Sequence, residues 1–150
     1  MAATFAFLHH LAAFTLVAAL AVQFVLLRDE ITVASARKLQ VIDTVYGIAA
    51  VMLLIVGLGR VFHFEKGATY YFHTWTFIAK LSLFVLVGLL SILPTLAFRS
   101  WRGAVQQGQA PQVTARQLQR LRSIVHLELI GVALIILCAA LMAKGIGLLL

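Results

Sequence analysis

The sequence predicts an all-α integral membrane protein, a four-helix transmembrane bundle formed by a single domain over residues 1–150. Hydrophobic residues make up 63% of the chain and charged residues 11%, against about 45–50% and about 25% in ordinary globular domains. The apolar residues fall in four long runs, at about 4–27, 39–62, 72–98 and 124–143. Each run matches the ~20 residues that cross a ~30 Å hydrocarbon core. This composition excludes a water-soluble domain.

The first run begins with FAFLHH and ends before the charged segment RDE at 28–30. A signal peptide is the competing interpretation, because an Ala-Leu-Ala segment at 19–21 resembles a cleavage site. However, the run has no positively charged region before it and exceeds the ~7–15 apolar residues of a signal peptide. We therefore expect a retained transmembrane helix, with His9 and His10 just inside its start.

The second and third runs carry charged residues at their ends and one charge inside. Asp43 lies near the beginning of the second run and Arg60 near its end, and Gly67 is the predicted turn residue of the loop that follows. Lys80 lies about two turns inside the third run, where a lysine costs up to ~2.5–3.5 kcal/mol at the membrane centre. A partner, a ligand or water must compensate that ammonium, unless the side chain extends to the interface.

The fourth run follows the longest polar segment, about 99–121. The TARQ segment that starts at Thr114 matches the capping-box pattern, which predicts that a helix begins there and continues into the fourth run. His126 and Glu128 lie near the start of that run, and we expect Glu128 to pair with a basic residue near the inner surface, such as Arg99 or Arg102. The chain has one cysteine, which excludes an internal disulfide and a multi-cysteine metal site.

The basic residues predict the orientation of the bundle. Three lie in the connection at 28–40 and four in the segment at 99–121, whereas Lys66 alone lies in the loop between the second and third runs. By the positive-inside rule, both termini face the non-cytoplasmic side of an inner (plasma) membrane. The chain has a net charge of +7. Its basic residues flank the apolar spans and do not line one continuous face, so we exclude nucleic acid as a partner.

This orientation collects polar side chains from three spans in the outer half of the membrane. They are His9 and His10 of the first span, Arg60 and His63 of the second, and His73 and Lys80 of the third. Asp43, His126 and Glu128 fall in the inner half. Polar side chains that converge at one level of a bundle are typical of a cofactor or anion site.

A haem suits such a layer, because imidazole is a common ligand of haem iron and Arg or Lys can pair with the propionates. His9 and His10 are the candidate metal ligands and, with Arg60 and His73, the candidate cofactor-binding residues. Adjacent residues point about 100° apart on a helix, so at most one of the two histidines faces a single site. A proton relay through the layer stays open, as does the simpler view that His63 and His73 are hydrated interfacial side chains.

Several segments together resemble a known group of proteins. They are FAFLHHLAAFTLV and VLLR in the first span, ARKLQ before the second, W-x4-KLSLFVLVGLL in the third and RLRSIVHLELIGVALIIL in the fourth. This pattern is similar to the HemJ-type protoporphyrinogen oxidases, four-helix membrane proteins related to the CopD membrane domain. It resembles still more closely a family of bacterial "predicted membrane proteins" of the same length and layout.

The resemblance implies a haem b bound by the first-span histidine, with His9 as the better match and His10 still open. It further implies catalytic roles for Lys80 and Glu128 in the oxidation of protoporphyrinogen IX, a porphyrin substrate, with electrons passed to the respiratory chain. The chain departs from the HemJ pattern in its alanine-rich first span and in Leu127, which replaces an asparagine.

We therefore expect a haem-b-binding redox protein of the lipid bilayer and leave open whether it is an enzyme of the oxidoreductase class. The alternative is a non-catalytic membrane protein or a subunit of a larger membrane complex without cofactor. A homo-oligomer is a further expectation, because four helices present a large apolar surface.

Overall fold

The computed structural model describes residues 2–64 and 72–147. Its four long helices are α1 (Ala2–Leu26), α2 (Val33–Gly59), α3 (Trp75–Ser100) and α5 (Ala115–Ala143), and the short helix α4 (Arg102–Gln106) follows α3. Each long helix is long and apolar enough to cross a membrane, and the described part of the chain contains no strand. The predicted all-α class with four spanning helices is confirmed. The predicted turn at Gly67 lies outside the described residues.

Two helices begin well before their apolar runs, because side chains cap their first turns. At α5, the Gln117 backbone N–H donates to Thr114 Oγ1 (3.2 Å) and the Thr114 N–H donates to Gln117 Oε1 (3.0 Å), as the capping-box pattern predicts. The same arrangement joins Thr32 and Ser35 at the start of α2. Ser35 stands where the capping-box pattern has Glu or Gln, so the pattern does not predict this second cap.

The helices form two closely packed pairs, α1 with α2 and α3 with α5, which associate through α1–α5 and α2–α3 contacts. The core between them contains fully buried Leu20, Leu39 and Phe98. Gly131 of α5 permits the closest approach of α3, because a Cβ at this position would lie 2.5 Å from Val87 Cγ2. Large apolar side chains cover the outside of the bundle, where lipid is the expected solvent.

The two ends of the bundle differ in how the chain is held. At one end, where α1 terminates and α5 begins, Arg122 donates from Nε to the Leu27 carbonyl and from Nη2 to the Arg28 carbonyl (2.6 Å). Gln40 Nε2 donates to the Phe98 carbonyl (2.9 Å) at the same end. We call this the arginine end and the opposite one, where α1 begins, the histidine end.

At the histidine end, α2 continues into one π-helical turn, Arg60–Phe64. The chain beyond α5 returns to the start of α3, where the Trp75 backbone N–H donates to the Gly147 carbonyl (2.9 Å). Thr76 Oγ1 donates to the neighbouring Ile146 carbonyl (3.2 Å). These two contacts join the segment that follows α5 to the start of α3.

Candidate functional site

The histidine end contains a polar group made by three helices. The His9 ring is half-buried against α2, and a Cβ at Gly57 would lie 3.3 Å from its Cε1 atom. Lys80 of α3 and Arg60 at the end of α2 act electrostatically on this ring. The predicted convergence of a first-span imidazole with two basic groups from other spans is therefore present, and we call it the histidine layer (His9, Arg60 and Lys80).

One ring nitrogen in this layer is unusual for a buried polar atom. Nδ1 of His9 is buried and has no hydrogen-bond partner within residues 2–64 and 72–147. Buried polar atoms are normally paired, and an unpaired one costs about 1–3 kcal/mol. The ring could therefore accept a metal ion or a polar group of a ligand.

The remaining histidines predicted for this site are more exposed than His9. His10 is exposed, and its Nδ1 donates to the Ala6 carbonyl (2.7 Å) one turn earlier on the same helix. The structure thus distinguishes the two adjacent histidines and turns only His9 inward. His73 lies exposed just before α3 and His63 is exposed in the π-helical turn. Within the described residues, no three side chains of the His, Cys, Asp or Glu types are grouped to hold a metal ion.

A second polar group lies about 20 Å towards the arginine end, since 14 residues of helix separate His9 from Gln23. We call it the carboxyl layer, and all four long helices contribute to it. Its members are Gln23 of α1, Asp43 and Tyr46 of α2, Ser91 and Thr95 of α3, and Glu128 of α5.

Asp43 is the hydrogen-bonded acid of the carboxyl layer. Its Oδ1 accepts a bond from Thr95 Oγ1 (2.9 Å) and a longer one from Gln23 Nε2 (3.4 Å). Arg99 acts on it electrostatically from the arginine end. Asp43 also lines a cleft of about 270 Å³ between α2 and α3, together with Arg99 and Arg102. This carboxylate is therefore stabilised by protein donors and lies next to exposed basic side chains.

Glu128 is the more deeply buried acid, with 1% of its surface exposed. Its Oε1 accepts no hydrogen bond from any residue that the structure describes. The predicted ion pair with Arg99 or Arg102 is wrong, because no salt bridge to Glu128 forms within the described ranges and Arg99 acts on Asp43 instead. Arg99 lies eight residues beyond Ser91, or about 12 Å further along α3, whereas Glu128 faces into the bundle.

Tyr46 lies in the carboxyl layer, where both acids act on it electrostatically. It is buried, and its hydroxyl faces the Ser91 side chain. The sequence places Tyr46 near the start of the second run but gives no signal of these interactions. Gln23 and Thr95 also escape notice in the sequence, because an uncharged polar residue in an apolar run is usually a packing or capping residue.

Lys80 and Glu128, the two residues with implied catalytic roles, lie in different layers. Lys80 belongs to the histidine layer and Glu128 to the carboxyl layer. Lys80 precedes Ser91, which faces Tyr46 in the carboxyl layer, by 11 residues of the same helix, a rise of about 16 Å. The two residues therefore lie at different depths of the bundle, and a shared role in one reaction stays a prediction.

Four apolar spans around two buried polar layers define a multi-pass integral membrane protein. The model of a protein family described as "Predicted membrane protein (DUF2214)" matches residues 1–147. The chain therefore belongs to this family, in agreement with its resemblance to the predicted membrane proteins. The match gives no link to HemJ-type oxidases or to CopD. No curated protein and no solved structure matches the chain.

Proposed function

We propose that this membrane protein binds a haem b in the histidine layer and carries electrons, and that His9 would hold the haem iron. The observation that supports the proposal is the inward-facing His9 ring, whose Nδ1 is buried without a hydrogen-bond partner among the described residues. Imidazole binds iron through either ring nitrogen, so a metal ion bound to the ring would offset the cost of burying it. Bound haem would supply one-electron redox chemistry at this depth.

The charges around His9 support an acidic cofactor. A haem carries two propionate carboxylates, and Arg60 and Lys80 are the basic groups that act on the His9 ring. Hydrogen bonds between charged groups contribute about 1.5–3 kcal/mol each. We assign to Arg60 and Lys80 the neutralisation of the propionates, whereas exposed His10 and His73 take no part in binding.

The proposal stops at haem binding and electron transfer. Protoporphyrinogen oxidation would use Lys80 and Glu128 at one substrate, and these residues lie in different layers of the bundle. The carboxyl layer therefore needs an explanation of its own.

The visible spectrum of the purified protein, titrated with haem, tests the proposal. We expect a Soret band that shifts on reduction with dithionite and is lost in His9→Ala. His10→Ala is the matched control, since it removes the adjacent, outward-facing imidazole and should keep the band. A folded, colourless wild-type protein would contradict haem binding and favour the alternative of a membrane protein without cofactor. Loss of the band in His10→Ala alone would contradict the assignment of His9.

A further inference from the structure

We propose that Glu128 is a proton-binding group inside the membrane and exchanges its proton with the aqueous phase at the arginine end through Asp43. This inference does not depend on the haem proposal, because the two layers share no residue. It rests on the burial of Glu128, on the groups that surround it and on the cleft beside Asp43.

The burial of Glu128 favours a proton as its ligand. The side chain is 1% exposed, and its Oε1 accepts no hydrogen bond from the described residues. A buried carboxylate without a counter-ion is highly unfavourable, and such a group normally becomes neutral instead. A metal ion is a poorer candidate, because the described residues contain no group of three His, Cys, Asp or Glu side chains arranged to hold one.

The groups that face Glu128 from neighbouring helices also favour the neutral acid. From α2, Asp43 acts on Glu128 electrostatically. Both carboxyl groups also act electrostatically on the phenol of Tyr46, another residue of α2. From α1 and α3, the uncharged Gln23 and Ser91 contact Asp43 and Tyr46 of the same layer. Among the described residues, Arg99 acts electrostatically on Asp43, whereas no cation acts in this way on Glu128. Asp43, with its donors and Arg99, is therefore the acid that holds the negative charge.

The cleft provides a path for exchange. Asp43 lines the cleft of about 270 Å³ between α2 and α3, whose wall includes the exposed Arg99 and Arg102 at the arginine end. Hydronium in the aqueous phase donates a proton to the Asp43 carboxylate and becomes a water molecule. Asp43 then donates the proton to the Glu128 carboxylate, which forms an O–H bond, and Asp43 is again ionised. Both acids act electrostatically on Tyr46, which lies in the same layer.

Infrared spectroscopy of the reconstituted protein tests the first part of the proposal. A neutral carboxylic acid has a C=O stretching band outside the amide bands, and we expect one such band at neutral pH. It should disappear in Glu128→Gln and remain in Glu30→Gln, the control at an exposed acid of the α1–α2 connection. A wild-type spectrum without this band, or one whose band persists in Glu128→Gln, would overturn the proposal.

Isotope labelling gives the same answer without relying on the fold of the Glu128 variant. The sequence has three glutamates, Glu30, Glu65 and Glu128. Carbon-13 in the glutamate carboxyls of a Glu30→Gln, Glu65→Gln protein should shift the band, because Glu128 alone then carries the label. If aspartate labelling shifts the band instead, the neutral acid is not Glu128 and the assignment is wrong.

A pH jump from an alkaline starting point, where Glu128 is ionised, to neutral pH tests the path. The rate at which the Glu128 band grows should fall by about 10²-fold in Asp43→Asn, since a positioned proton donor contributes about that much or more. Asp29→Asn, which removes an exposed acid from the same end, is the control and should leave the rate unchanged. An unchanged rate in Asp43→Asn would show that protons reach Glu128 by another route and would overturn this part of the proposal.

Discussion

The histidine layer and the carboxyl layer solve the same problem in different ways. Both place polar side chains inside an apolar bundle, where each unpaired group is costly. The histidine layer lies near one end and surrounds an imidazole with basic side chains. The carboxyl layer lies near the other end, and its hydrogen bonds converge on Asp43 while Glu128 Oε1 has none from the described residues. Among the described residues, each layer has one buried polar atom without a hydrogen-bond partner, and our two proposals place a ligand at each of these atoms.

The packing next to the carboxyl layer is where substitution should have the largest effect. Gly131→Ala adds a Cβ that would lie 2.5 Å from Val87 Cγ2, and overpacking of this kind costs about 1–3 kcal/mol. We expect reduced thermal stability in detergent. Gly88→Ala is the control, because a Cβ there meets no atom within 4 Å. Equal stability of the two variants would contradict the close approach of α3 and α5.

The charge of the histidine layer can be tested through haem affinity. Lys80→Gln removes one basic group that acts on His9, and we expect about a tenfold weaker haem affinity, as for the loss of one charged hydrogen bond. Spectroscopic haem titration measures this change. Lys144→Gln removes an exposed lysine beyond α5 and should leave the affinity unchanged. An equal loss in both variants would indicate a general effect of net charge.

A smaller effect should follow from the hydrogen bonds of the carboxyl layer. Thr95→Val keeps the shape of the side chain but removes the donor to Asp43 Oδ1. We expect a loss of about 0.5–1.5 kcal/mol in the free energy of unfolding, the usual contribution of one hydrogen bond. Thr44→Val is matched to it, because Thr44 is exposed and donates only to the Gln40 carbonyl of its own helix among the described contacts. A stability loss as large in Thr44→Val would contradict the importance of the Asp43 contact.

The smallest effect on stability should come from Glu128→Gln. If Glu128 is a neutral acid, the amide is a close substitute for it, and we expect a change in unfolding free energy of less than about 1 kcal/mol. Removing one member of a buried ion pair would instead cost about 3–5 kcal/mol. Chemical denaturation in mixed micelles distinguishes these outcomes, and the larger loss would indicate that Glu128 is ionised and paired.

The four spans could be predicted from the sequence because lipid requires long, internally hydrogen-bonded apolar segments. The capping box at Thr114 was equally visible, and the structure confirms it. The rotation of each helix was not visible, because residues on all faces of these spans are apolar. This is why the sequence could not separate His9 from His10 or find Gln23 and Thr95. The side of the membrane on which the termini lie stays a prediction.

The prediction of an ion pair for Glu128 was wrong for a related reason. Proximity in depth suggested that Arg99 or Arg102 would reach an acid at the start of the fourth span. Pairing, however, depends on which face of α5 carries the acid, and that face turns towards Tyr46. Arg99 acts electrostatically on Asp43 instead, since both residues line the cleft between α2 and α3.

The return of the chain to α3 has a practical consequence for anyone who handles this protein. Gly147 has a φ of +114°, and a Cβ there would lie 2.8 Å from Thr76 Cγ2, so no other residue fits this position without a shift. Its carbonyl accepts the Trp75 N–H. Truncation at Ala143, or an affinity tag fused directly at that point, would remove this hydrogen bond between Gly147 and Trp75. Reporter fusions would be better placed in the exposed linker around Gly108.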